Sequence, residues 1–282
     1  MEPSSALPAA YFRAGTASFV DFLSEVRPDL LPGANARTGS SSAPITPAQA
    51  ATVPHGTTIV AAVFSGGVAI AGDRRATMGN LISSRDMQKV YVTDDYSAAG
   101  IAGTAGLAVE AMRLFAVELQ HYEKIEGISL TFDGKANKLA GMVRGNLGAA
   151  MQGLSFVPLF VGYDLDAADP ARAGRIVSYD VVGTRDEETA YAGVGSGSLF
   201  AKSALKKRHD PEASAEECVR TLIDALYDAA DDDSATGGPD TIRGIYPMVV
   251  TITAEGATML PAEETSAVAE AVVAARRERP GG

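Results

Sequence analysis

The stretch that follows Gly56 constrains the fold most. Thr58 to Phe64 is a compact β-branched run, Gly66-Gly67 interrupts it, and Val68 to Ala71 resumes the apolar pattern. Two such runs around a Gly-Gly pair are a hairpin signal. A second pair is expected from Val90 to Thr93 and Ser97 to Ala102, around Asp94-Asp95. Ala108, Ala111, Met112, Phe115, Leu119 and Tyr122 fall on one helical face. The spacing predicts a second helix from about Asp133 to Met151. Strands return at Phe156 to Tyr163, Arg175 to Asp180 and Thr189 to Val194. Helices are expected over Ser198 to Lys207 and Ser214 to about Ala230, the latter opened by a capping box of Ser214 and Glu217. Ile245 to Thr253 reads as a last long strand and Ala262 to Arg279 as a charged C-terminal helix.

This order is strands, two helices, strands, two helices, strand. It lacks the strict alternation of a parallel doubly wound sheet. The expected class is α+β, with two antiparallel sheets face to face and helices on both outer faces. No internal repeat is visible.

Residues 1–56 differ in kind. They are rich in Ala, Pro, Ser and Thr, as in Ala34-Asn35-Ala36-Arg37-Thr38-Gly39-Ser40-Ser41-Ser42. One island, Tyr11 to Leu23, carries Phe12, Phe19, Phe22 and Leu23 at roughly helical spacing. It reads as a flexible leader with one segment able to dock.

The bulk numbers exclude several classes. The 282 residues are 46% hydrophobic with a mean hydropathy of +0.05, enough for one sizeable core. No stretch approaches the ~20 apolar residues of a membrane helix, and the start lacks the pattern of a secretory signal. A lone cysteine, Cys218, precludes an intrachain disulfide and suits a reducing cytoplasm. A net charge of −11 argues against a nucleic-acid partner.

The chemistry concentrates at the Gly56–Thr57 junction. A threonine hydroxyl is a weak nucleophile until a base activates it. A threonine at a chain start carries its own base, an α-amino group with an ordinary pKa of ~7.7–8. That requires cleavage after Gly56, and glycine tolerates the bent backbone that self-cleavage demands. The domain reading is therefore a removable segment, 1–56, and a catalytic domain, 57–282. Taken alone, Gly56-Thr57-Thr58 reads first as a loop entering a strand, and the rest of the chain has to reverse that reading.

Six segments in order supply more. Thr57-Thr58-Ile59-Val60, Ala71-Gly72-Asp73-Arg74-Arg75, Gln88-Lys89-Val90-Tyr91, Ala102-Gly103-Thr104-Ala105-Gly106, Gly195-Ser196-Gly197-Ser198 and Asp233-Ser234-Ala235-Thr236-Gly237-Gly238 resemble the proteasome β-subunit pattern from Thr57 to about Val250. The leader and the Asp233-to-Gly238 segment look most like the actinobacterial form. The resemblance implies the four-layer αββα sandwich of N-terminal-nucleophile hydrolases. It implies a threonine peptidase acting on unfolded proteins, without a cofactor, inside heptameric rings of its own copies. Those rings would be capped by α-subunits and served by an ATP-dependent unfoldase ring.

The same resemblance assigns roles. Lys89 would sit near the Thr57 oxygen, held charged and oriented by Asp73; alone, the two read as an ordinary strand-end carboxylate and surface lysine. The Gly103 N–H would face the oxyanion, a donor worth ~2.7–4 kcal/mol of barrier. Ser198 and the Asp233/Thr236 pair would surround the Thr57 amine, although Ser198 reads equally as a helix N-cap and Asp233 as a helix-end carboxylate. Thr236 stands where many relatives have serine. Thr77 and Ala105 would bond an added substrate strand. Ala76, Met87, Ile101, Ala105 and Val109 would line an apolar specificity pocket. The directions of Arg74 and Arg75 are not legible, so an acidic preference stays open.

Other signals are weaker. Gly193-x-Gly195-x-Gly197 imitates a dinucleotide fingerprint, but Ser198 falls where the third glycine belongs. Of three histidines, His55 lies in the leader, His121 among helix-surface residues, and His209 carries no motif. Cys218 reads as buried, and Asp231 to Asp233 as a solvated acidic run. Two rivals remain: a catalytically silent ring subunit, against which Thr57, Asp73 and Lys89 together argue, and an HslV-type peptidase, which starts alike but has a shorter leader.

Overall fold

The computed structural model describes Phe19, Leu23, Arg27 and residues 56–280. Phe12 and Phe22, and the rest of the leader, lie outside the described residues.

Strand β1 (Thr58–Phe64) turns into β2 (Gly67–Gly72) as the Gly-Gly signal requires. Both carry apolar residues on both faces, and both faces are covered. Ile59 and Ala61 of β1, with Val68 and Ile70 of β2, point toward a second sheet. Val60, Ala62 and Phe64, with Ala69 and Ala71, point to a helical layer. Period 2 thus sorts one apolar run into two cores.

The first sheet has the order β10-β1-β2-β11-β12, where β10 is Tyr191–Gly195, β11 Met248–Thr253 and β12 Gly256–Met259. The second is β5-β6-β7-β8-β9: Val90–Asp94, Ser97–Gly103, Phe156–Tyr163, Gly174–Tyr179 and Arg185–Glu188. All pairings are antiparallel. Ile59, Ile70, Leu159 and Ile176 meet between the sheets, each 0% exposed. Burial of one such side chain is worth about 1.5–3 kcal/mol.

Helices α1 (Ala105–Glu126) and α2 (Phe132–Gly145) cover the second sheet through Met112, Phe115 and Leu139. A short α3 spans Leu147–Ala150. Helices α4 (Ser198–Arg208), α5 (Ala215–Asp232) and α6 (Ala262–Glu278) cover the first, through Leu205, Leu222 and Val272. The layers run helix, sheet, sheet, helix, as expected for the α+β sandwich.

The differences from expectation are local. The helix expected from Asp133 to Met151 breaks at Asn146, whose amide bonds Leu154 O at 3.2 Å. The strand expected from Thr189 to Val194 starts at Tyr191, and β9 was not expected. The last strand starts at Met248, because Pro247 offers no N–H and Ile245 instead bridges Asp240. The hairpin of β3 (Ala76–Met78) and β4 (Leu81–Ser84), and strand β12, are too short for a periodic signal. The Ser214–Glu217 capping box is present.

In the leader, Phe19 and Leu23 are helical, and Leu23 is buried. The Phe19 ring lies 5.3 Å from that of His121, on α1.

Candidate active site

The register of one hairpin builds half the site. Ile59 pairs with Gly72, so Asp73, one residue on, stands opposite Thr58. The Asp73 carboxylate is fully buried, and four donors satisfy it. Oδ1 accepts the Thr58 N–H at 2.8 Å and Lys89 Nζ at 2.7 Å. Oδ2 accepts the N–H groups of Arg75 at 2.9 Å and Gly237 at 2.8 Å. A buried carboxylate with this many donors is held in one place.

Lys89 enters from the residue before β5 and is 2% exposed. Besides Asp73, its ammonium donates to Arg75 O and, at 3.1 Å, to Gly56 O. Burial pushes its pKa down; the Asp73 carboxylate opposes this, and the balance falls below the usual lysine value. Asp73 orients Lys89 and favours its charged form, while burial leaves the proton retained less firmly than on an exposed lysine.

The carbonyl that Lys89 reaches is the one preceding Thr57. The Thr57 hydroxyl donates to the same Gly56 oxygen at 2.6 Å. Gly56 is confined as well. A Cβ built there would lie 2.4 Å from Thr77 Oγ1 and 2.8 Å from Ala235 O, so no larger residue fits this turn. Nucleophile candidate, carbonyl and cation therefore meet in one contact.

The other half comes from distant segments. Ser196 follows β10, and its N–H donates to Thr57 O at 2.9 Å. Its hydroxyl donates to Asp233 Oδ2 at 2.6 Å. Asp233 caps the end of α5 and also accepts the Thr236 hydroxyl at 2.6 Å and the Ala235 N–H at 3.0 Å. Burial alone would raise this carboxyl; the bonds from Ser196, Thr236 and Ala235, with the Lys89 charge, hold it below the ordinary carboxylate range.

Ser198 is the expectation the geometry corrects. Gly197 is the N-cap of α4 and Ser198 its first residue, with Cβ turned toward Gly193. Ser196, two residues earlier, joins Asp233 and Thr57. Thr58 was also missed; its hydroxyl lies 2.6 Å from Thr236 Oγ1. The available signal was that Thr58 is the only polar residue in the run from Thr58 to Phe64.

A pocket opens beside Thr57, lined by Ala76, Met87, Ile101 and Ala105 as expected, with Gly103, Gln88 and Lys89 at its polar side. Ala108 lines it in place of Val109: three residues beyond Ala105, it shares that helical face. Gly103 has φ +121°, and a Cβ there would lie 2.3 Å from Ser155 O. Thr77 lies against Gly56. Arg74 pairs with Asp86 and Arg75 reaches Ser234 O at 3.1 Å, so neither guanidinium lines the pocket.

Such an arrangement suits acyl transfer: a hydroxyl against a carbonyl, a buried cation on that carbonyl's oxygen, and an apolar pocket beside them.

Comparison with known proteins gives the family. The family model described as "Proteasome subunit" matches residues 53–243. A proteasome subunit beta of Saccharomonospora viridis is 66% identical over 278 residues, covering 98% of this chain and 96% of the relative. One of Saccharopolyspora erythraea is 61% identical over 282 residues, covering 99% and 96%. One of Rhodococcus erythropolis strain PR4 is 72% identical over 224 residues, covering 79% and 77%. The chain belongs to the proteasome subunit family.

Proposed function

We propose that this chain is the proteolytic β subunit of a proteasome core, a threonine endopeptidase unmasked by cleavage between Gly56 and Thr57. The observation that carries the reading is the shared contact at Gly56 O, which receives both the Thr57 hydroxyl at 2.6 Å and Lys89 Nζ at 3.1 Å.

In maturation, Thr57 Oγ1 attacks the Gly56 carbonyl carbon. The C–N bond to Thr57 breaks, the hydroxyl proton passes to the departing nitrogen, and an ester joins Gly56 to Thr57. Water hydrolyses the ester, leaving a carboxylate on Gly56 and a free amine on Thr57. Residues 1–56 depart as the propeptide.

In turnover, that amine takes the Thr57 hydroxyl proton while Oγ1 attacks a substrate carbonyl. Lys89, fixed by Asp73, offsets the negative charge on the attacking oxygen. The Gly103 N–H receives the oxyanion, and the amine returns its proton to the leaving amine. Water then hydrolyses the acyl ester. Ser196, Asp233 and Thr236 hold the amine side; Ser196 takes the role that the family pattern suggested for Ser198. Thr77 and Ala105 bind the substrate strand. The pocket of Ala76, Met87, Ile101, Ala105 and Ala108 favours an apolar side chain before the cleaved bond.

The subunit works in heptameric rings of its own copies, capped by α-subunits and fed unfolded protein by an ATP-dependent unfoldase. Confinement matters because a cleft of broad apolar preference would otherwise degrade any unfolded chain around it. Thr57→Ala tests the reading. It is expected to fold, to keep its leader and to lose peptide hydrolysis. Near-normal cleavage of an apolar peptide by this variant would overturn it, whereas a processed parent that hydrolyses no peptide would favour the silent-subunit alternative.

A further inference from the structure

Thr58 takes no part in the chemistry above, yet it joins both halves of the site. Its side chain is fully buried. Oγ1 accepts the Gly197 N–H at 3.0 Å and lies 2.6 Å from Thr236 Oγ1, which in turn lies 2.6 Å from Asp233 Oδ2. The proton order follows from chemistry. A carboxylate only accepts, so Thr236 gives its single proton to Asp233. Toward Thr58 the Thr236 oxygen is then the acceptor, and Thr58 the donor. A lone pair of Thr58 remains for Gly197. The chain Gly197, Thr58, Thr236, Asp233 therefore runs in one direction. The Thr58 main chain is tied to the opposite half: its N–H reaches Asp73 Oδ1 at 2.8 Å, and its carbonyl accepts the Asp73 N–H at 3.1 Å.

We propose that Thr58 is a positioning residue whose hydroxyl locks the Ser196–Gly197 turn and the Thr236–Asp233 pair to the strand end carrying Thr57. It acts through those groups and touches no reacting atom. The role rests on Thr57 being the nucleophile. Valine at this position keeps the shape but leaves the Gly197 N–H and a Thr236 lone pair unmatched in a buried site. Serine keeps the proton order.

The test measures kcat and KM on an apolar peptide with assembled particles, per active site titrated with a covalent probe. Thr58→Val is expected to lower kcat about 10- to 100-fold, the equivalent of one buried hydrogen bond lost at the transition state. KM should stay within about twofold, and Thr58→Ser should return kcat to within about threefold of the parent. The double variant Thr58→Val/Thr236→Val should lose clearly less than the product of the two single losses, because the Thr58–Thr236 bond is shared and is broken only once, while the Gly197 contact goes only with Thr58. Thr58→Ala reads the same link should the valine protein fail to assemble. Parent-like kcat in Thr58→Val or Thr58→Ala, equal loss in Thr58→Ser, or multiplicative losses in the double variant would overturn the proposal. Thr57→Ala run in parallel separates the two failures. If it is inactive while Thr58→Val is unimpaired, the positioning role alone falls. If it is active, the nucleophile reading falls and the positioning role with it.

Discussion

On one side of Thr57 stand Asp73 and Lys89, 0% and 2% exposed and joined by a 2.7 Å ion pair. On the other, Ser196, half-buried Asp233 and Thr236 are joined by hydroxyl–carboxylate bonds of 2.6 Å. The first side is set by strand register, from one hairpin and the start of β5. The second is set by turns, after β10 and after α5. The ion pair is sealed at the ends of paired strands, and hydroxyls on a half-buried carboxylate carry the contacts where the chain turns. A sealed ion pair fails abruptly when one partner goes, since the other is left uncompensated. A hydroxyl network with several partly redundant bonds, its outer member Ser196 exposed, loses function in steps.

The largest effect should come from the sealed side. Lys89→Met is expected to lower peptide hydrolysis by about 10³-fold or more, measured on assembled particles. Asp73→Asn should combine a comparable loss with about 3–5 kcal/mol of destabilisation, read by denaturant unfolding. If either variant loses less activity than Asp233→Asn, the contrast between the two sides is wrong.

The hydroxyl side should respond more mildly and sharply by position. Ser196→Ala is expected to slow turnover about tenfold and Ser198→Ala less than about twofold. The reverse order would restore Ser198 to the site.

Lys89 also gives the sealed side a pH signature. Its folded pKa lies below the usual value, chiefly through burial. Between that value and the unfolded ~10.4, the unfolded chain binds more protons, so this group adds stability as pH rises. The unfolding stability of the parent relative to Lys89→Met should therefore increase across the alkaline range below ~10.4. A difference independent of pH would mean that Asp73 fully offsets the burial.

The smallest expected effect concerns the pocket. Ala108→Val should shift preference toward smaller apolar side chains by about 10-fold or less in kcat/KM. Val109→Ala should leave it unchanged, and a larger effect at Val109 would reverse the helical phase read here.

Much of this was legible because strands carry their own ruler. Thr58 to Ala71 announced the hairpin, and its register fixes where Asp73 falls. What failed were positions set by turn phase. Gly195-Ser196-Gly197-Ser198 offers two serines, and only the placement of the α4 N-cap on Gly197 decides which one turns back to Thr57. The exchange of Val109 for Ala108 is the same failure by one helical residue. Thr58 escaped notice because a threonine suits a strand without any further role.

The central claim is that the working chain begins at Thr57. Intact mass and N-terminal sequencing of assembled, active particles test it most directly. The expected result is a free threonine terminus at Thr57 on every active subunit, with residues 1–56 absent. Full activity in particles whose subunits all retain the leader would contradict the account, because no free Thr57 amine would exist to act as base.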